Sequence, residues 1–336
     1  MSYRLTIIAR ADQSGLGYQT YDYYKFLKPS KIVVIDMSIL NGTPTDYSKY
    51  PDATYIMGIP RDDQIGEILD DTDVLLTAET PYNLNLYRHA RMRGIKTICV
   101  ENPEFYDHIK YPEFELPDMI ILPSIWLEDK IRNHAESKGT KVVQLHHPVD
   151  RSVFEFRLRS ASSFIHFAGK PAMHDRNGTE TYMQACPDGT IITQSDDLAH
   201  EIRRNYRHST VYTNVSDNKQ MYQYGNIFVL PRRYGGNCLP LNEALSSGMP
   251  VIMTDISPNN HLLPSEWLIP AHITETFAPR FDIDVYEANM QCLVEKLDWF
   301  KNCNIEEESK KADAIADTIS WDTLLPKYNE AIESIL

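Results

Sequence analysis

The residues best placed to do chemistry lie between Asn226 and Asn260, in the run NIFVLPRRYGGNCLPLNEALSSGMPVIMTDISPNN. A short apolar run, Ile227 to Leu230, is stopped by Pro231, and a glycine loop, Tyr234-Gly235-Gly236-Asn237, follows. Leu239-Pro240-Leu241-Asn242-Glu243-Ala244-Leu245 then reads as a helix with proline in its first turn. Gly248 closes that helix, and Pro250 to Thr254 reads as a second strand. Strand, glycine loop, helix and strand in this order aim free backbone N–H groups and a helix N-terminus at an anion, commonly a phosphate. Glu243, in the first turns, is placed to accept hydrogen bonds from hydroxyls such as those of a ribose.

Other loops offer weaker chemistry. Arg10 to Tyr18 follows a strand and carries Gly15 and Gly17, whose spacing suits either close backbone approach to a ligand or a tight structural turn. It lacks the third glycine of the dinucleotide fingerprint. The loop from Gly169 to Gly178 holds Lys170 and Arg176, which serve either as surface charge or as a pair converging on a diphosphate leaving group. Thr213-Asn214-Val215-Ser216 reads as an ordinary turn or as a place where Asn214 and backbone groups meet a nucleobase edge. Glu79 and Glu101 each end a strand. Either could act on an acceptor hydroxyl or could be a helix cap or a buried, hydrogen-bonded acid, and Asp12 has the same ambiguity. His146 and His147 read as packing residues near a domain joint. The triplets Asp71-Thr72-Asp73 and Asp282-Ile283-Asp284 are expected to face solvent rather than a metal, the second in a late helical or loop region.

The elements that must position these residues are legible as an alternation. Leu5–Ala9, Ile32–Asp36, Thr54–Met57, Val74–Ala78, Thr97–Val100, Met119–Leu122 and Val142–Leu145 are short apolar runs of the kind buried in parallel sheets. Helical patterns, such as Asn83 to Arg93 and Ile125 to Ser137, lie between them. After His147-Pro148-Val149-Asp150 the pattern restarts, with Phe164–Phe167, Thr190–Thr193, Thr210–Tyr212, Ile227–Leu230, Val251–Thr254 and Trp267–Ile269. The expectation is an α/β protein of two Rossmann-like domains in tandem, 1–150 and 151–318, with a cleft between them and a C-terminal helix, 319–336, packing back toward the first domain. Val285 to Phe300 and Trp321 to Leu336 read as helical, and Glu306-Glu307-Glu308 as a solvated turn.

Composition narrows the function classes. The chain has 336 residues, 42% of them hydrophobic and 24% charged, as in an ordinary globular protein. A formal charge of −14 disfavours broad binding to nucleic acid or to an anionic membrane. Its apolar runs are too short to span a bilayer and no signal peptide is visible, so a cytoplasmic address is expected. Five scattered cysteines without a C-x-x-C argue against a disulfide framework or a zinc site. Cys238 reads as a loop residue whose backbone matters.

The Asn226–Pro258 segment with its LPLNEALSSGMPVI core, the Gly169-Lys170 loop, the Leu122-Pro123-Ser124 and Trp126 element and the His147–Asp150 linker together resemble glycosyltransferases of the GT-B fold, most closely the retaining family 4 group. The resemblance implies that the helix after the glycine loop points at the diphosphate of a nucleotide sugar and that Glu243 binds its ribose. Lys170 and Arg176 match the basic pair on the diphosphate, Gly15 and Gly17 the loop that closes over the donor, and Asn214 with Val215 the nucleobase edge. It further implies a metal-independent transfer with retention, a nucleoside-diphosphate sugar as co-substrate and no other cofactor. The acceptor stays open between glycan, protein, small molecule and modified nucleic-acid base, with Glu79 the acid put forward on that side.

One departure stands out. The family carries a further acid eight positions before Glu243, where this chain has Gly235. Backbone groups of Gly236, Asn237 and Cys238, or side chains such as those of Asn259 and Asn260, are the alternatives for meeting the sugar, while the helix N-terminus at Leu239 to Asn242 is expected to stabilise the departing diphosphate. A degenerate nucleotide- or sugar-binding protein and a nucleotide-sugar epimerase on the same fold are the rival expectations.

Overall fold

A computed structural model describes residues 3–169, 172–213, 215 and 217–336. The chain packs as two units, one of residues 1–147 with 324–336 and the other of residues 148–323. The sequence reading divides at 150 and 318 instead. Backbone bonding explains the difference. Val149 N donates to Ile319 O at 2.9 Å and Trp321 N to Val149 O at 3.2 Å, so 148–150 belong with the second unit. The Tyr328 hydroxyl donates to His146 O at 3.2 Å, which ties the end of the last helix to the first unit.

The first unit is a parallel sheet of β1 (Leu5–Ala9), β2 (Lys31–Asp36), β3 (Thr54–Met57), β4 (Val74–Ala78), β5 (Lys96–Val100), β6 (Met119–Leu122) and β7 (Lys141–Gln144). Its order is β3-β2-β1-β4-β5-β6-β7. The strands are apolar on both faces because helices cover both. The helices are α1 (Gly15–Leu27), α2 (Ser38–Asn41), α3 (Ile65–Leu69), α4 (Leu86–Met92) and α5 (Glu128–Ser137). One core cluster packs Ile65 and Ile68 of α3 and Leu86 of α4 against Ile8, Val33 and Leu75 of the sheet. α1 starts where Ser14 caps it, its hydroxyl accepting from Gly17 N at 3.1 Å. α5 starts three residues later than expected, because Leu127 takes a left-handed conformation, φ 56°.

The second unit repeats the plan with β8 (Phe164–Gly169), β9 (Thr190–Thr193), β10 (Thr210–Thr213), β11 (Ile227–Leu230), β12 (Val251–Thr254) and β13 (Leu268–Ile269), all parallel, in the order β10-β9-β8-β11-β12-β13. Between and after them run α6 (Thr179–Ala185), α7 (Asp196–Asn205), α8 (Asn218–Met221), α9 (Leu239–Ser246), α10 (Asn259–Leu262), α11 (Met290–Asn302), α12 (Ile305–Thr318) and α13 (Trp321–Glu333), the last crossing from the second unit into the first. α7 shows why such a segment is helical. Ser195 caps it, Asp196 and Asp197 lie in its first turn and Arg203 and Arg204 in its last, each sign at the end of the dipole that favours it.

Two expectations fail here. Val285 is not helical: β14 (Ala271–Phe277) and β15 (Ile283–Ala288) form an antiparallel ribbon, and the helix begins only at Met290, where Asn289 Oδ1 accepts from Cys292 N at 3.0 Å. Ile283 and Val285 are buried while Asp284 and Tyr286 are less so, a period of two that favours a strand. Asp284 therefore sits in a strand, accepting from Thr276 Oγ1 at 2.7 Å, rather than in a helix or loop. Glu308 is not solvated either. It is buried and accepts from Trp267 Nε1 at 2.7 Å and from Lys311 Nζ at 2.8 Å, because α12 lays that turn against the core.

Candidate functional site

In an open α/β sheet, the loops at the carboxyl ends of the strands part where the strand order reverses. In the second unit that point lies between β8 and β11. The loops after these two strands are laced together. Arg233 N donates to Arg176 O, Arg233 Nη1 to His174 O and the Tyr234 hydroxyl to Met173 O, each at 2.9 Å. The Arg176 guanidinium lies over the Tyr234 ring, 5.5 Å from its centroid.

A second arginine organises the glycine loop. Arg232 is buried and donates to Tyr234 O at 3.1 Å, Gly236 O at 3.4 Å and Asn237 O at 3.2 Å, so the loop is wrapped around a guanidinium. Gly235 sits beside it at φ 118°, in a region closed to ordinary side chains. A Cβ there would stand 2.5 Å from Arg232 Nη2 and 2.6 Å from Arg176 Nη2. The space a side chain at 235 would enter is thus taken by two arginine side chains.

α9 opens straight out of that loop. Pro240 is in its first turn, and the N-cap residue Cys238 makes no side-chain cap. Leu239 and the residues after it therefore present the positive end of the helix beside Arg176 and Arg232. Further along α9, Glu243 is buried and one of its oxygens, Oε2, accepts a short hydrogen bond from the Tyr222 hydroxyl. Burial, with Glu243 adding, pushes the Tyr222 phenol well above its ordinary range, so it stays a donor. Asn237 Oδ1, Thr254 Oγ1 and Asn259 Oδ1 are buried acceptors without a hydrogen-bond partner among the described residues. Asn260, by contrast, is exposed and bonded to Asp255 Oδ1 at 3.0 Å.

Of the residues singled out from sequence, the second unit holds Arg176, Gly236, Asn237, Cys238, Leu239 and Glu243 on the two laced loops and the helix that leaves them. Val215 lies in the segment after β10, half-buried. Lys170 and Asn214 lie outside the described residues. Gly15, Gly17 and Glu79 belong to the first unit. There Gly17 is buried in α1, and a Cβ on it would stand 2.2 Å from Asp12 O, so close packing demands glycine whatever else the loop does. Gly15 is exposed at the first position of α1. Asp12 pairs with Arg10, both buried. Glu79 takes φ 63°, uncommon for a non-glycine residue, and accepts from Asn102 Nδ2 at 2.7 Å. Neighbouring Glu101 is a buried acid whose pKa burial drives well up. His147 packs edge-on to Tyr23, ring centroids 5.5 Å apart.

Three residues escaped sequence reading. Arg232 was visible beside the glycine loop but carried no motif. Tyr222 was one of many tyrosines. Arg159 had no signal at all, yet it is buried and donates to Ser247 O at 2.7 Å, Tyr222 O at 2.9 Å and Gly225 O at 3.0 Å, which fixes the far end of α9 to the turn before β11.

Residues 196–281 match the family model for Glycosyl transferases group 1. Among solved structures, a glycosyltransferase from Rickettsia africae ESF-5 is similar over 99% of this chain and 98% of its own, at 14% identity and a TM-score of 0.72. HepE from Anabaena, solved with UDP and glucose, is similar over 99% and 100%, at 10% identity and a TM-score of 0.70. Sucrose-phosphate synthase from Thermosynechococcus elongatus is similar over 99% of each chain, at 12% identity and a TM-score of 0.68. The fold is GT-B. No match was found among curated proteins. In this GT-B chain the family match includes the glycine loop, α9 and Glu243, but not Arg176. Among the described residues, no helix is long and apolar enough to cross a membrane.

Proposed function

We propose that this protein transfers a sugar from a nucleoside-diphosphate sugar to an acceptor hydroxyl, with retention and without a metal. The observation that carries the reading is the convergence of Arg176, the Arg232-centred glycine loop and the uncapped start of α9 at the strand-order reversal of the second unit. Departure of a nucleoside diphosphate develops negative charge. Two guanidinium groups, backbone N–H groups and a helix N-terminus are the means by which protein alone stabilises such charge. Lys170 is assigned to the same diphosphate. Glu243 takes the ribose hydroxyls, and Asn214 with Val215 the nucleobase edge. The Asn237 and Asn259 acceptors are assigned to the sugar in place of the acid that Gly235 lacks. Glu79 and the Gly15–Gly17 loop are assigned to the first unit's share of the reaction.

A second reading, a binding protein without turnover, is favoured by Gly235 alone. A single experiment separates them. Nucleotides and nucleotide sugars are screened by thermal shift, and the tightest-binding donor is then incubated with the protein and assayed for released nucleotide. A transferase raises its melting temperature with the donor and hydrolyses it slowly, because water substitutes for the acceptor. A rise in melting temperature with no release above buffer supports the binding protein. No shift with any of them overturns both.

A further inference from the structure

Tyr222 and Glu243 stand 21 residues apart in sequence, yet the phenol of one donates to the carboxylate of the other. Both are buried. A buried carboxylate without donors is costly, so its orientation follows the donors it is given. Tyr222 is itself held on several sides. Its ring packs edge-on to Phe154 and Phe167, with centroids 5.6 and 5.1 Å apart. Its carbonyl oxygen is gripped by Arg159 Nη1 at 2.9 Å, and the same guanidinium holds Ser247 O at the end of α9, while Ser247 N donates to Glu243 O at 2.9 Å. One buried arginine thus ties the backbone of the donor tyrosine to the helix that carries the acid.

We infer that Tyr222 is a positioning residue for the ribose-binding carboxylate, and that the Arg159–Tyr222–Glu243 chain sets how well the site distinguishes ribonucleotides from deoxyribonucleotides. This rests on Glu243 reading the ribose. Each carboxylate oxygen has two lone pairs, so Oε2 accepts from the phenol while the group still receives the sugar's hydroxyls. Locking the carboxylate plane removes its rotation from the cost of binding.

The test uses the full chain and titrates UDP, GDP, ADP and CDP to find the tightest, then compares that nucleotide with its 2′-deoxy and 3′-deoxy forms. In Tyr222→Phe the ring packing is unchanged, and the ribonucleotide is expected to bind about tenfold more weakly, with little change for the deoxy form whose missing hydroxyl Glu243 reads. Glu243→Gln is expected to lose the same preference, and Y222F added to it should cost nothing more. If Y222F retains the wild-type preference while E243Q loses it, Tyr222 does not position the acid and the inference is overturned. If E243Q retains the preference, Glu243 does not read the ribose, and the underlying assignment fails instead. Should Y222F not fold, 3-fluorotyrosine at position 222 keeps the shape and alters the donor. An altered preference then supports the inference and an unaltered one overturns it.

Discussion

Arg176 Nη2 stands 2.6 Å from the point where Gly235 would carry a Cβ, and Arg232 Nη2 stands 2.5 Å from the same point. The absence of a side chain at 235 is therefore the condition for two guanidinium groups to meet there. The φ of 118° there is a second constraint, because it strains any residue with a side chain.

Gly235→Glu should not gain activity. The residue would have to adopt φ 118° and displace both arginines. A loss of at least about 2 kcal/mol is expected from backbone strain and overpacking together. Chemical denaturation checks the stability, and a donor-release assay the activity.

Arg176→Met should separate phosphate recognition from base recognition. Methionine keeps a long unbranched side chain but removes the guanidinium that lies over the Tyr234 ring, and with it the charge. Affinity for a nucleoside diphosphate should fall by about tenfold or more, while the parent nucleoside binds as before. Calorimetric titration of the two ligands decides. Equal losses for both would place Arg176 outside the phosphate site.

Arg159→Ala should unfold more readily by about 3 kcal/mol, since it leaves several buried carbonyl oxygens without their donor. Arg159→Lys should recover only part of this, because an ammonium cannot span the same fork. Urea denaturation of both variants is the measurement. A loss under 1 kcal/mol in the alanine variant would remove Arg159 from the frame of the site.

Acid should destabilise both units through buried histidines. His166 is fully buried between Val229 O, at 2.8 Å from Nδ1, and Thr179 Oγ1, at 2.9 Å from Nε2. A carbonyl only accepts, so Nδ1 carries the proton and Nε2 accepts from the threonine hydroxyl. Burial lowers its pKa to about 4. His108 in the first unit is likewise lowered to about 4, by burial and then by His134. Both fall below the ordinary value of about 6.5, so in that window the unfolded chain binds protons that the folded chain refuses. Stability is fully present above about pH 6.5 and is lost as pH falls toward 4, by up to about 3 kcal/mol for each histidine. Replacing His166 with glutamine should flatten its share of that slope in denaturant titrations at stepped pH.

How far the sequence alone could be read depended on the range of the interactions involved. The strands of both sheets were legible because a strand buried on both faces is a contiguous apolar run, and its bounds are local. Glu308 and Val285 misled because their surroundings come from elsewhere. Trp267 supplies the partner that buries Glu308, and β14 supplies the strand that pairs with Val285. A run of three adjacent acids and a short alternating run each carry too little local signal to outweigh that.

By itself, the sequence determined that two doubly wound units exist and that a glycine loop opens a helix carrying an acid, since both are set by neighbours within a few residues. Only tertiary structure decided that Arg176 and Arg232 share the space beside Gly235, that Tyr222 donates to Glu243, and that Arg159 braces both. These relationships join segments that lie far apart along the chain. Their physical basis, the need of buried charges and carbonyl groups for partners, operates on distance in space and leaves no periodic trace along the chain.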